Sequence, residues 1–254
     1  MNLDNIQITT LGWQAPNWKQ EFYPEDMPEE WQLDYYLNYF SVLACPMPIW
    51  AEIFADQDKL DEFSDCLFES SRVFCVLKIE IDAQGALSLN QCREALEAKL
   101  TLLNATKAQA PWLTGVVVNI EGVAEQKAEE LQVASVYQTL RQSLDASLAL
   151  SLLIRTTTEQ ECAALALSQF PKSETSQKPI WYACNDSWLT VGSPLGWMLE
   201  LPADGKKQAE WLQKFYAQLP REAKGAPIII AGDEQPIDMA QVKNLKVVAE
   251  LLGF

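Results

Sequence analysis

Apolar, β-branched runs alternate with stretches of helical periodicity along most of the chain. Strands are read from period-two or continuously apolar runs, helices from apolar residues three and four apart. The first run, Ile6 to Leu11, predicts a strand. Glu29 to Tyr39 predicts a helix with Trp31, Tyr35 and Leu37 or Tyr39 at helical spacing, and Pro28 suits its first turn. Ser41 to Cys45 predicts a second strand, stopped by Pro46 and Pro48, and Lys59 to Glu69 a helix carrying Leu60, Phe63, Leu67 and Phe68 on one side. Val73 to Ile81 predicts a third strand. A turn at Asp82 to Gly85 follows, and then a helix capped by Ser88 and running to Leu103. Gly115 to Ile120 is almost continuously apolar, as a strand covered on both faces should be.

The second half repeats the alternation. Ala124 to Leu144 predicts a long amphipathic helix. Leu148 to Ile154 fits either element on periodicity, and the threonines Thr156 to Thr158 that end it favour a strand, with a helix starting at Glu159. Phe170 to Gln177 is a polar loop. Pro179 to Cys184, Trp197 to Leu201 and Pro227 to Ala231 predict three more strands, and Asp204 to Leu219 and Met239 to Leu252 two more helices. Strands alternating with helices imply parallel pairing through crossover helices. Eight such strands in 254 residues predict an α/β fold of the (β/α)8 TIM-barrel type, a single domain over residues 1–254. A doubly wound open sheet is the alternative.

One stretch stands outside the alternation. Leu11 to Pro28, LGWQAPNWKQEFYPEDMP, holds Trp13, Trp18, Phe22, Tyr23 and three prolines. It is too irregular for a helix and too aromatic for a solvated loop, so it predicts a packed loop leaving the first strand.

Composition narrows the chemistry. The formal charge is −16, from 35 acidic and 19 basic residues, which opposes both nucleic acid and an anionic membrane surface as partners. The absence of His excludes Ser-His-Asp and Cys-His catalysis, His metal sites and His proton shuttles. The six Cys form no C-x-x-C pair, and Cys75 and Cys184 lie in apolar runs where Cys serves as a small core residue. No Gly-rich phosphate loop is present, since Gly192 and Gly196 flank Pro194 as a turn would. The expectation is no cofactor and no metal. Met1 to Asn5 is polar and acidic with no apolar stretch after it, and no run is long enough to span a membrane. A reduced, cytoplasmic location follows as an expectation, and the triplets at Asn104 and Asn185 read as chance matches to a glycosylation signal.

From Leu11 to Pro46 the chain resembles the YecE-like family, grouped as domain of unknown function 72 (DUF72). The resemblance rests on Gly12, Trp13, Trp18, Phe22-Tyr23-Pro24, Glu25-Asp26, Met27-Pro28, Tyr35-Tyr36 and Phe40. It implies a TIM-barrel fold and places Lys78 where the family carries a lysine near the end of its third strand. The departures imply a divergent member. Leu43 and Cys45 stand where the family has Glu and Asn, no His follows Lys78, and Arg155 is what persists of a Glu-x-Arg-His pattern. Ala231 and Gly232 replace an Asn pair, while Asp233 remains. The family's activity is not established, so the resemblance implies no reaction.

In a TIM barrel the functional face is the C-terminal end of the strands. The residues expected there include Trp13, Cys45, Lys78, Glu80, Asn119, Glu121, Arg155, Asn185, Asp186, Asp233 and Glu234. Lys78 and Arg155 sit in or at the end of apolar strands, where an unpaired charge is costly. Each needs either a small anionic ligand, bearing phosphate or carboxylate, or a carboxylate from Glu80, Glu121 or Asp233. Trp13 and Trp18 either stack on a ligand or plug the barrel end. Glu121 or Asp233 is the candidate acid or base of an enzyme of this kind. The competing expectation is a degraded barrel acting as a non-catalytic binding or scaffold protein.

Overall fold

The computed structural model describes residues 6–67, 71–80, 89–121, 133–156, 180–183, 187–219, 225–232 and 236–254. The chain forms two compact units, Met1–Phe74 with Pro194–Phe254, and Cys75–Ser193.

In the first unit, β1 (Ile6–Thr10) pairs in parallel with β9 (Ala226–Ile230), which pairs in parallel with β8 (Gly196–Met198). All five β1 residues are buried, as are all five of β9, so the sheet is covered on both faces. β2 (Val42–Pro46) meets the end of β1 through a parallel bridge between Leu11 and Ala44, and it neighbours the start of β3 (Arg72–Glu80), where Arg72 N donates to Ser41 O at 3.1 Å. The α-helices of this unit among the described residues are α1 (Gln32–Leu37), α2 (Met47–Phe54), α3 (Gln57–Cys66), α6 (Gly205–Gln218) and α7 (Met239–Leu252). Asp56, Asp204 and Asp238 cap α3, α6 and α7, each accepting the backbone N–H two residues on. Gly253, at φ 77°, ends α7 in a Schellman motif, with Phe254 N donating to Ala249 O and Gly253 N to Glu250 O.

In the second unit the order is β3, β4 (Leu113–Glu121), β5 (Ala149–Thr156), β7 (Ser187–Gly192) and β6 (Ile180–Ala183), with α4 (Leu89–Lys107) and α5 (Val133–Ser143) as helices. β4 and β5 are parallel, with Gly115 opposite Ala149 and Ile120 opposite Ile154. β7 is antiparallel to both β5 and β6 and lies between them. Asn104 ties α4 to the end of α5, donating to Ser143 O at 2.7 Å and accepting from Asp145 N at 2.9 Å.

These findings correct the expected elements in three places. β7 is a strand that the apolar runs do not predict, and it ends at the turn expected around Gly192, Pro194 and Gly196. Gly192 sits at φ 103°, and a Cβ there would lie 2.3 Å from Leu150 O and 2.6 Å from the Tyr137 ring, so the glycine marks the end of a strand. α2 was also missed. Pro46 and Pro48 read as breakers, yet Pro48 lies in the first turn of α2, where no intrahelical donor is needed. In α1 the buried residues are Gln32, Leu33, Tyr36 and Leu37, so of the expected face Leu37 is buried while Trp31, just before the helix, is 62% exposed. The architecture among the described residues is α/β with parallel sheets of three and six strands, the six-stranded one carrying the antiparallel β7. The predicted turn at 82–85, the Ser88 cap, the helix start at Glu159 and the loop at 170–177 lie outside the described residues. No described helix is long and apolar enough to cross a membrane.

Candidate functional site

In parallel α/β sheets the C-terminal strand ends are where ligands are met. In the first unit these ends are held level by backbone bonds: Leu11 N to Ile230 O at 2.9 Å, Gly12 N to Ala44 O at 2.8 Å and Ala231 N to Met198 O at 2.8 Å. Among the described residues, apolar side chains are presented there. Trp13, Cys45, Met47 and Met198 are all buried, and Trp13 tilts against Phe63 with centroids 5.9 Å apart.

The aromatic stretch that leaves β1 packs against α1 and the approach to α7. Trp18 is fully buried, and its indole N–H donates to Ile237 O at 3.1 Å. Its ring lies parallel to Tyr36, with centroids 6.4 Å apart. Phe22 meets Tyr35 and Tyr39 edge-on, and the Lys243 ammonium sits over Phe22 and Tyr39 at 4.5 and 4.4 Å. Tyr23 donates its hydroxyl to the Trp13 carbonyl.

A hydroxyl network lies beneath this layer. Tyr36 Oη accepts from Thr10 N at 2.9 Å and lies 2.9 Å from both Thr9 Oγ1 and Thr10 Oγ1. Thr9 Oγ1 donates to Val42 O at 2.8 Å and Thr10 Oγ1 to Gly12 O at 2.7 Å. Both threonine protons are therefore committed to carbonyls, and the Tyr36 proton is left to serve the two threonine oxygens.

None of these groups is poised for proton transfer near neutral pH. Burial pushes the Cys45 thiol well above its ordinary value. Burial also raises Tyr36, against the opposing hydrogen bonds from Thr10 and Thr9, and it raises Tyr23, helped by neighbouring Tyr36 and Tyr35. A thiol held protonated is a weak nucleophile and a poor metal ligand. Among the described residues no group of three or more His, Cys, Asp or Glu could hold a metal ion.

The sequence candidates divide between the units. Trp13 and Cys45 stand at neighbouring strand ends of the first. Lys78 and Asn119 belong to the second. Lys78 is exposed between buried Leu77 and Ile79, and Asn119 is buried. The Arg155 backbone pairs opposite Trp188 on β7. The side chains of Glu80, Glu121 and Arg155, and the residues Asn185, Asp186, Asp233 and Glu234, lie outside what is described.

Two polar constellations were missed from sequence. Thr9-Thr10 placed two hydroxyls in a buried strand, which obliges polar partners, and Tyr36 is that partner. At the opposite, N-terminal ends of the strands, Arg72 Nη1 donates to Gln7 Oε1 at 2.8 Å and Gly225 O at 2.6 Å, and its guanidinium lies 5.2 Å from the Phe74 ring centroid. Burial lowers the Arg72 pKa. Such a group at the N-terminal face contributes to stability rather than to chemistry.

No protein-family model matches the chain, and no curated protein matches it. Among solved structures its fold is similar to that of a DUF72 family protein from Thermotoga maritima. The TM-score is 0.60, covering 96% of this chain and 99% of that one, at 11% identity. At that identity the likeness is one of fold. It meets the resemblance carried by Leu11 to Pro46, which pointed to the same family.

Proposed function

We propose that the chain is a divergent member of the DUF72 family, built on a TIM-barrel-like (β/α)8 plan, and that it acts as a non-catalytic binding or scaffold protein. The observation that carries this reading is the content of the strand ends in the first unit. Trp13, Cys45, Met47 and Met198 are packed there, and the titratable groups among them and beneath them are held protonated by burial. Acid–base catalysis needs a group whose pKa lies near the working pH and which can reach a substrate. The replacements Leu43 and Cys45, both fully buried, fit a site whose polar residues have given way to packing.

One observation favours a second reading. Lys78 is exposed on β3 although both chain neighbours are buried. An exposed cation at that position suits a small anionic ligand bearing phosphate or carboxylate, with Arg155 of the same unit as its second cation and Glu121 as acid or base.

A thermal-shift screen against inorganic phosphate, phosphorylated sugars and small carboxylates separates the two. The non-catalytic reading expects the melting temperature of the wild type to respond no differently from that of the Lys78→Ala/Arg155→Ala variant. A compound that stabilises the wild type and fails on the double variant favours the anion-binding reading, and turnover of that compound by the wild type overturns the non-catalytic one.

A further inference from the structure

Strand register sorts the residues of the second unit's sheet onto two faces. Residues paired across strands share a face, and so do alternate residues along one strand. At its centre one face is wholly apolar, with Val116, Val118 and Ile120 of β4 beside Leu150, Leu152 and Ile154 of β5, all buried. The other face gathers polar positions. Asn119 of β4 pairs with Leu153 of β5, and Leu153 with Thr190 of β7, so Asn119 and Thr190 flank one leucine in a single row. The next row lies toward the C-terminal ends of β4 and β5. There Glu121 and Arg155 follow the pair Ile120–Ile154, Arg155 stands opposite Trp188, and Trp188 opposite Tyr182 of β6.

Thr190 is 2% exposed, and its hydroxyl has no hydrogen-bond partner among the described residues. Ser151, one row below on the same face, is equally buried, but its hydroxyl donates to Ser193 O at 2.9 Å. A buried hydroxyl without a partner is costly, and valine would fill the same space without that cost. The strand therefore carries a hydroxyl that its own packing does not use.

We propose that this face of β4, β5 and β7 binds a neutral sugar, with the Thr190 hydroxyl bonded to one of the sugar hydroxyls beneath the row of Glu121, Arg155 and Trp188. The chemistry of the positions selects the ligand. A threonine hydroxyl and an asparagine amide both donate and accept, an arginine only donates and an ionised carboxylate only accepts. An anion would suit Arg155 but meet Glu121 at the neighbouring position, and a cation would meet the reverse. A ring of hydroxyls, each donating and accepting, uses all four. The Trp188 and Tyr182 positions add aromatic surface, against which the apolar C–H face of a sugar ring packs. The row lies toward the C-terminal strand ends, where parallel sheets meet their ligands. The proposal rests on the reading of the chain as a non-catalytic binding protein and names what is bound.

Titration calorimetry and saturation-transfer NMR on the full chain test it, with glucose, galactose, mannose, xylose and N-acetylglucosamine each taken to about 10 mM so that millimolar dissociation constants register. At least one of these sugars should bind the wild type. Thr190→Val should raise its dissociation constant about tenfold, while the melting temperature holds or rises because the fold loses no hydrogen bond. Thr190→Ser keeps the hydroxyl and should bind within about twofold of the wild type. Failure of every sugar to bind the wild type overturns the proposal. So does a Thr190→Val variant that binds as the wild type does, or one whose melting temperature falls, since the hydroxyl would then serve the fold. Turnover of a bound sugar by the wild type would support the site and overturn the non-catalytic reading instead.

Discussion

The Tyr36 hydroxyl accepts the backbone N–H of Thr10 at 2.9 Å, so a side chain of α1 takes a bond that a neighbouring strand would otherwise supply. Beside it, Thr9 Oγ1 donates to Val42 O at 2.8 Å. The seam between β1 and β2 is thus held by side chains up to the bridge between Leu11 and Ala44. This accounts for the division of the strands into two sheets at that point.

Removing one hydroxyl should expose the seam. Tyr36→Phe keeps the ring stacked on Trp18 but leaves the Thr10 N–H unsatisfied in a buried place. The expected loss is about 1–3 kcal/mol, measured by urea denaturation. Thr9→Val removes the donor to Val42, and because the two residues share a network the double variant should depart from additivity by about 0.5 kcal/mol or more. Additive losses would show that the seam does not act as a unit.

Much of this order was legible in the sequence, for reasons particular residues make plain. β9 is short and apolar, β1 is rich in β-branched residues, and the helix at Met239 to Leu252 carries an Asp cap and a Gly stop, so local chemistry and burial agree. Trp31 misled because the amphipathic phase of a short helix rests on two or three residues, and the prior expectation for a tryptophan is burial. β7 was illegible because an antiparallel strand among parallel ones depends on its pairing with β5, which no local pattern carries. Trp13 was legible as an occupant of a strand end. Whether it walls a ligand site or fills space is a matter of burial, and only the fold supplies that.

At the N-terminal end of the same strands, Gly225 adopts φ 64°, and a Cβ there would lie 2.3 Å from Arg72 Nη1. Gly225→Ala should therefore cost about 1–2 kcal/mol from the backbone alone, plus the displacement of Arg72. In an Arg72→Met background the crowding is relieved, so the same substitution should cost less. Equal costs in both backgrounds, read from urea midpoints, would show that the guanidinium is not held against Gly225.

Alkaline pH should weaken the fold. Cys45, Tyr23 and Tyr36 keep their protons in the folded state, while the unfolded chain releases them above the ordinary values of 9.0 and 10.0. Above those values the folded state binds more protons than the unfolded one, so stability falls as pH rises, by up to about 1.4 kcal/mol per pH unit for each group. Stability from this source is fully present at neutral pH. The urea midpoint should decline from about pH 9 upward, with Cys45→Ala delaying the onset. A flat midpoint through pH 11, one unit beyond the ordinary tyrosine value near 10, would contradict the burial of these groups.

Trp13 carries the account most directly, because packing and ligand binding make opposite demands on it. The measurement is urea denaturation of Trp13→Ala alongside its thermal-shift response to phosphorylated sugars and carboxylates. A packed strand end predicts a loss of about 3–5 kcal/mol, with no ligand response that differs from the wild type. Stability within about 0.5 kcal/mol of the wild type, together with loss of a ligand response that the wild type shows, would contradict it and make Trp13 the wall of a binding site.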